Sequence, residues 1–220
     1  ILAQARDEQN RRGENWFEEP VRAIGVNIWA PEWYAPSITN FDADKLAESM
    51  KAAGANVAFT FQGFSQDIFG ASYFPTELGP PHKNLKGRDH LLEYVDALHA
   101  RGIKVFGYYS YYDKKVWDRN PDWRQVDAQG KVIVKGAWGG PLCPNSPYRE
   151  HFVARTSEIV EKYNVDGFLL DSSDFDGAGC YCRYCERKFR ARYGRRLPRQ
   201  RSGYDEDWQR FIQFRYDCLQ

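Results

Sequence analysis

The strongest constraint in this chain is an alternation. Short apolar runs of strand character lead into long loops, then amphipathic helices, and each helix returns to the next apolar run through a short turn. "RAIGVNIWAPEW" (22–33) is a β-type run that ends at Pro31. "FDADKLAESMKAAGAN" (41–56) reads as a helix that Asp42 caps and Gly54 ends. "NVAFTFQGF" (56–64) is the next strand, followed by a loop over 65–87 rich in Gly and Pro. "DHLLEYVDALHARG" (89–102) is a helix with Leu91, Leu92, Val95 and Leu98 expected on one face. "IKVFGYYSYYD" (103–113) is the third strand, and a second excursion occupies 114–147. "YREHFVARTSEIVEKYN" (148–164) is the third helix and "VDGFLLD" (165–171) the fourth strand. Segments 185–194 and 205–220 are helical by period, the last with Trp208, Phe211, Ile212, Arg215, Tyr216 and Leu219 at helical spacing.

This order, βαβαβαβα, predicts an α/β fold with parallel strands and helical crossovers. No GxGxxG motif follows the first strand, so a dinucleotide-binding fold has no support. Long loops after strands and short turns after helices mark an elaborated C-terminal strand face, as in a (β/α)8 TIM barrel. Four units consume about 200 residues here, whereas a complete barrel typically needs ~250. The expectation is therefore the N-terminal half of a TIM barrel, strands 1–4, over residues 21–220. Residues 1–20 form a polar lead-in, and the other half lies outside this sequence.

Charge narrows the partners. With 31 basic and 30 acidic residues, the chain has no basic excess for nucleic acid. No apolar run reaches the length of a membrane span, so no membrane partner is expected. The aromatic content of 16% includes seven Trp and fourteen Tyr, which suit either a ring-rich core or a sugar-binding cleft.

Parallel strands bring their C-terminal ends to one rim. The first offers Trp29, Glu32 and Trp33, the second Gln62 and, along its loop, Tyr73. The third offers Tyr109 and Tyr111, and the fourth Asp171 and Asp174. Rings and carboxylates thus converge where barrel enzymes do chemistry. Glycosidases need two carboxyl groups flanking the scissile bond. Asp171, ending the apolar run "GFLLD", is predicted to be one, with Asp174 as an in-chain second. Asp171 could instead cap a helix or hold loop amides. The Trp, Tyr, Gln and Glu residues named are predicted to hold a carbohydrate substrate. Asp166, ahead of the strand, belongs to the opposite rim and to a turn. His82 lies in a rim loop within reach of a ligand.

Cys180, Cys182 and Cys185 form C-x-C-x2-C, and Cys143 follows the third strand. Neighbouring barrel loops lie side by side, so Cys143 is the natural fourth ligand of a tetrahedral zinc site. Four cysteines close such a site, making Zn2+ structural. Disulfides and unpaired thiols are the alternatives, and the odd total of five leaves one thiol over in any pairing. Cys218 reads as an ordinary buried thiol.

"LCPNSPYREHF" followed by "CYCRYCERKFRARYG" resembles the zinc-binding segments of family 42 β-galactosidases. That resemblance implies zinc on Cys143, Cys180, Cys182 and Cys185. "GANVAFTFQGF", "YFPTELGPPHKNL", "ALHARGIKVFGYYSYYD" and "NPDW" resemble the hypothetical glycosyl hydrolase family 6 domain, a barrel group related to α-L-fucosidases. The two resemblances together imply a TIM-barrel glycosidase over roughly 22–220. There are departures. Where family 42 carries Asn-Glu at the end of strand four, this chain has Asp171 and Ser172. In α-L-fucosidases the strand-four carboxylate is an Asp nucleophile, which Asp171 in "FLLDSS" matches better; their histidine pair is replaced here by Gln62 and Gly63. The reading is a glycoside hydrolase with Asp171 as nucleophile or, alternatively, as acid/base, its carboxyl partner expected from a later strand with Asp174 as the in-chain fallback, and a structural zinc nearby. A non-catalytic carbohydrate-binding barrel and a zinc-organised protein-interaction scaffold are the alternatives. Homo-oligomerisation of the full-length protein is left open.

Overall fold

The computed structural model describes residues 20–26, 30, 32–33, 36–59, 70–171, 179–200, 202–203 and 205–219. Four strands, β1 (Ala23–Gly25), β2 (Val57–Phe59), β3 (Lys104–Ser110) and β4 (Gly167–Asp171), form one open sheet in the order β1-β2-β3-β4. Every neighbouring pair is parallel. The helices are α1 (Pro36–Thr39), α2 (Ala43–Ala52), α3 (His90–His99), α4 (Lys114–Arg119), α5 (Tyr148–Tyr163), α6 (Arg183–Tyr193) and α7 (Glu206–Asp217). This is the expected partial TIM barrel, four βα units with the long connections after the strands. The lead-in over 1–19 lies outside the described residues.

Local chemistry starts and stops the helices. Asp42, Asp89, Asp113 and Asp205 each accept a backbone N–H three residues on, at 3.0 Å, capping α2, α3, α4 and α7. Gly54, at φ 80°, takes the left-handed conformation after α2, as its position predicted. Helix α4 and the short 3-10 turn at Pro121–Trp123 lie inside the segment read as a loop. Six residues, none of them buried, leave no periodic apolar stripe to read.

The sheet has two faces, set by the period of two along each strand. Ile24, Ala58, Val105 and Tyr109 face α2, α3 and α5, which supply Met50, Leu91, Tyr94, Val95, Leu98, Phe152 and Ile159 to one core. Fully burying side chains of this size is worth about 1.5–3 kcal/mol each. Tyr94 takes the buried place expected of Leu92, which is exposed on α3. A second core, centred on Phe189, Trp208, Phe211 and Phe214, joins α6 to α7. There Phe214 is buried and Tyr216 exposed, reversing the expectation for α7.

On the opposite, inner face, Gly25, Phe59, Phe106 and Gly167 are successive register partners across all four strands. The Phe59 and Phe106 rings lie 5.5 Å apart. A Cβ on Gly167 would overlap the Phe106 ring. The neighbouring pair reverses the arrangement on the outer face, where a Cβ on Gly107 would sit 3.2 Å from the Phe168 ring. β3 and β4 are therefore interlocked, a large ring over a glycine on each face.

Asp166 fastens the other end of this pair. Its carboxylate accepts the Val105 N–H at 2.9 Å, meets His99 Nε2 at 2.8 Å and faces Lys104 Nζ at 3.2 Å. Burial pushes this carboxyl up, but His99, the Val105 amide and Lys104 outweigh it and hold it below the usual range.

Two outcomes follow. Gly167→Ala should destabilise the protein by about 1–3 kcal/mol through overpacking, and Gly107→Ala by less. Urea unfolding of both variants checks the order, and equal midpoints would contradict the interlock. His90, buried at the start of α3 with its ring 4.6 Å from Phe41, is pushed down to about 4, first by burial and then by Arg88. Its neutral ring lends stability that is full above the ordinary value of 6.5 and is lost as pH falls towards 4. His90→Leu should flatten the fall in Tm over that window; an unchanged acid slope would reject the assignment.

Candidate functional site

Asp171 closes β4 at the C-terminal rim, opposite Ser110 of β3. Leu169, two residues earlier, is the register partner of Tyr108, so Asp171 and Tyr108 share the inner face. The Tyr108 hydroxyl donates to Asp171 Oδ2 at 2.6 Å. The Asp171 backbone carbonyl accepts the Tyr111 N–H at 3.1 Å, extending the ladder one residue beyond β3. The carboxylate is thus carried on a strand end and steered by a buried phenol, itself 1% exposed.

The predicted rings and polar groups do not all gather around it. Tyr109 and Tyr111 point to the helical side, where Tyr109 packs on Phe152 and Tyr111 on Tyr148 and Phe152. Arg155 of α5 donates to the Tyr109 hydroxyl at 3.4 Å and to Thr76 Oγ1 at 2.9 Å, and also to Ser72 Oγ. Tyr73 is fully buried and donates to the Ala30 carbonyl at 3.0 Å. These three rings are enclosed by protein, because core burial claims aromatic faces before a ligand can.

His82 shares the same carbonyl, with Nε2 at 2.7 Å from Ala30 O and Nδ1 accepting the Asn84 N–H at 3.2 Å. Burial pushes its imidazole down, so it is a neutral brace for the loop. Glu32 is also spoken for. Its carboxylate meets Lys115 Nζ at 3.1 Å and accepts the Lys83 N–H at 3.3 Å. Burial pushes Glu32 up, and Lys115 with the Lys83 amide brings it below its usual value. It ties together the loops after β1, β2 and β3. Among the described residues, Trp33 is the predicted ring most exposed to solvent, at 73%. Trp29, Gln62 and Asp174 lie outside the described residues. A cavity of about 200 Å³ lies between Gly79, Asp113, Trp123, His151 and Arg155, and neither Asp171 nor Tyr108 lines it.

Tyr108 is the site residue that sequence reasoning missed. In "KVFGYYS" both faces are apolar, so alternation cannot say which tyrosine looks inward. Only the register against β4 decides it.

The cysteines do come together. Cys143, Cys180, Cys182 and Cys185 are buried, and their Sγ atoms all lie within 4.8 Å of one another. Cys143 Sγ is 3.4 Å from Cys185 Sγ and 3.6 Å from Cys182 Sγ. A tetrahedral ion with ~2.3 Å metal–sulfur bonds needs sulfurs roughly 3.8 Å apart, whereas a disulfide needs ~2.05 Å. The four sulfurs are close enough to bind a metal ion. N–H donors surround them as thiolates require: the Asn145 amide N–H points at Cys143 Sγ (3.4 Å) and its side chain at Cys185 Sγ (3.3 Å). Burial pushes the Cys143 thiol up, while hydrogen bonds from Cys143, Cys180 and Cys185 pull Cys182 down. Four crowded thiols cannot all ionise without a cation. Cys218 stays outside the cluster, buried, and accepts from the Asn145 side chain at 2.9 Å.

Four parallel strands in one sheet, with Asp171 at a strand end and rim loops braced by polar cross-links, make up part of a TIM-like barrel. Comparison with known families agrees: the model for "Hypothetical glycosyl hydrolase 6" matches residues 42–172, and the chain belongs to that family. No curated protein is similar to it. Among solved structures, an α-L-fucosidase isoenzyme 2 from Paenibacillus thiaminolyticus superposes with a TM-score of 0.73 at 24% identity, over 91% of this chain and 29% of the other. A β-galactosidase from Bacillus circulans sp. alkalophilus gives 0.57 at 20% identity, over 90% and 32%. A β-galactosidase from Marinomonas ef1 gives 0.55 at 18% identity, over 90% and 35%. The chain spans about a third of the length of these enzymes. At such identities the likeness is one of fold.

Cys185→Ser should lower the uptake of a Co2+ probe from about one ion per chain to near zero and reduce Tm; full uptake by the variant would exclude the four-sulfur site.

Proposed function

We propose that this chain supplies half of a glycoside hydrolase active site, in which Asp171 is the nucleophile. The observation that carries the reading is the inward-facing carboxylate at the end of β4, held by Tyr108 at 2.6 Å. In the retaining mechanism a carboxylate oxygen attacks the anomeric carbon as the bond to the leaving oxygen breaks. A second carboxyl group protonates that oxygen, and water then releases the sugar from the enzyme. We assign the second group to a later strand of the whole protein, with Asp174 as the candidate within this chain. The Tyr108 phenol fixes one Asp171 oxygen, which leaves the other aimed for attack. Trp33 offers its exposed ring to a sugar face.

The four cysteines are assigned to Zn2+, with which an all-sulfur tetrahedral set agrees best. Its ligands are complete without water, so the ion would organise loops and take no part in hydrolysis. It would join the loop after β3, through Cys143, to the segment that leaves β4, through Cys180, Cys182 and Cys185.

In the full-length protein, Asp171→Asn should lower kcat on its aryl glycoside substrate by at least ~10²–10⁴-fold with binding retained. Tyr108→Phe removes one hydrogen bond to a charged group, worth about 1.5–3 kcal/mol, and should cost on the order of 10- to 100-fold in kcat with little change in KM. A panel that includes α-L-fucosides and β-galactosides measures both. Undiminished turnover by Asp171→Asn would reject the nucleophile. Sugar binding with no turnover by the unmodified protein would turn the reading to a carbohydrate-binding barrel.

A further inference from the structure

The basic charge of this chain is not spread evenly. Residues 183–199 hold eight of its 31 basic side chains and a single acid, Glu186, although the chain as a whole is nearly neutral. Arg183, Arg187 and Arg190 occupy one stripe of α6 at helical spacing. Gly194, at φ 68°, caps the helix in the left-handed conformation and turns the chain back. Leu197 then anchors in the second core, and Arg196 and Arg199 on either side of it face the α6 stripe. Between them runs an open groove of about 850 Å³ lined by five arginines and one carboxylate. That volume falls in the roughly 300–1,000 Å³ range of ligand sites.

The pairing of these arginines separates two groups. Arg192 and Arg195, outside the groove, find Asp217 at 2.5 Å and Asp207 at 3.4 Å. Arg183 and Arg199, at the groove's edge, face Asp122 at 2.8 Å and Glu186 at 3.6 Å. Arg187, Arg190 and Arg196 are exposed and have no ion pair among the described residues, yet all three line the same groove. Like charges at helical spacing oppose folding, so three uncompensated guanidinium groups in one concavity are a cost that an anion would remove. The groove contains arginine and no lysine. Arginine's planar fork matches the paired oxygens of a carboxylate or sulfate, which a lysine point charge does not.

We propose that this groove binds an acidic carbohydrate, a glycan segment bearing carboxylate or sulfate groups, at a site separate from Asp171. The carbohydrate half of that assignment rests on the glycosidase reading; the oxyanion half rests on the groove alone. A single-stranded nucleic acid fits less well. The groove lining has no aromatic ring for base stacking, and the nearby Tyr184 ring is covered by Arg183 at 4.9 Å and Arg187 at 5.7 Å. The remainder of the chain is net acidic and would repel a long polyphosphate.

Calorimetric titration of the full-length protein at 0.15 M salt provides the test. The probes are a heparin-derived octasaccharide for sulfate, an oligogalacturonate for carboxylate, a neutral dextran oligosaccharide, and a single-stranded oligonucleotide of matched charge. Binding of one or both acidic sugars is expected, with none of the neutral one. The variant Arg187→Gln/Arg190→Gln/Arg196→Gln should weaken that binding at least tenfold while Tm holds or rises slightly, as relief of like-charge repulsion requires. Arg190→Gln alone should give a smaller loss and guards against misfolding of the triple variant. No binding of either acidic sugar, tighter binding of the oligonucleotide, or unaltered affinity in the triple variant would overturn the proposal. Turnover of a neutral aryl glycoside, followed in parallel, reports on Asp171 independently of the groove, so either assignment can fail while the other stands.

Discussion

The pairing of β3 with β4 is the constraint on which the rest depends. A parallel ladder alone tolerates slippage when both faces are apolar, because a one-residue shift exchanges one greasy side chain for another. Here the rings of Phe106 and Phe168 lie over Gly167 and Gly107 from opposite faces, and any shift would drive a ring into a side chain. Asp166 adds a polar lock at the lower end, where it holds the Val105 amide of the partner strand. With register fixed from below and through the middle, the upper end has one outcome. Asp171 stands opposite Ser110 and turns to the same face as Tyr108.

The rim above this sheet is held differently. Its loops are joined by polar cross-links in addition to a small buried apolar cluster of Ala30, Ile38, Tyr73 and Leu85. Glu32 spans three loops through Lys83 and Lys115, Tyr73 and His82 converge on the Ala30 carbonyl, and Arg155 reaches from α5 to Ser72 and Thr76. The cysteine cluster does the same on a larger scale, at the junction of the loop after β3 and the second core under α6 and α7. Asn145 links that cluster to Cys218 at the end of α7, so the last helix is tied to the metal-binding geometry by hydrogen bonds as well as by packing.

Much of this was legible in the sequence where the signal is local. The βα alternation gave the parallel sheet, Asp42 and Gly54 the ends of α2, and the C-x-C-x2-C spacing three members of the cysteine cluster. Cys143 was legible because barrel loops are neighbours by topology. Asp171 was found at its strand end since a carboxylate after "GFLL" breaks an apolar run. What the sequence hid is the choice of face. Leu92 lost its place to Tyr94, and Tyr216 to Phe214, since amphipathic helices with several large residues offer more than one plausible stripe. Tyr108 is not distinguishable from Tyr109 and Tyr111 in the sequence, because a strand buried on both sides has no polar alternate to mark its inner side. Glu32 carried no sign that a lysine 83 residues away would claim it.

The row of Gly25, Phe59, Phe106 and Gly167 across the inner face has an evolutionary meaning too. Bulk along this row is shared where β3 meets β4: the Phe106 ring fills the space that a side chain at 167 would take. A substitution at 167 is therefore conditional on the residue at 106, and drift along this row must proceed by compensated pairs. Lineages that enlarge one end without shrinking its neighbour would tilt β4, and with it the direction in which the acid at 171 points.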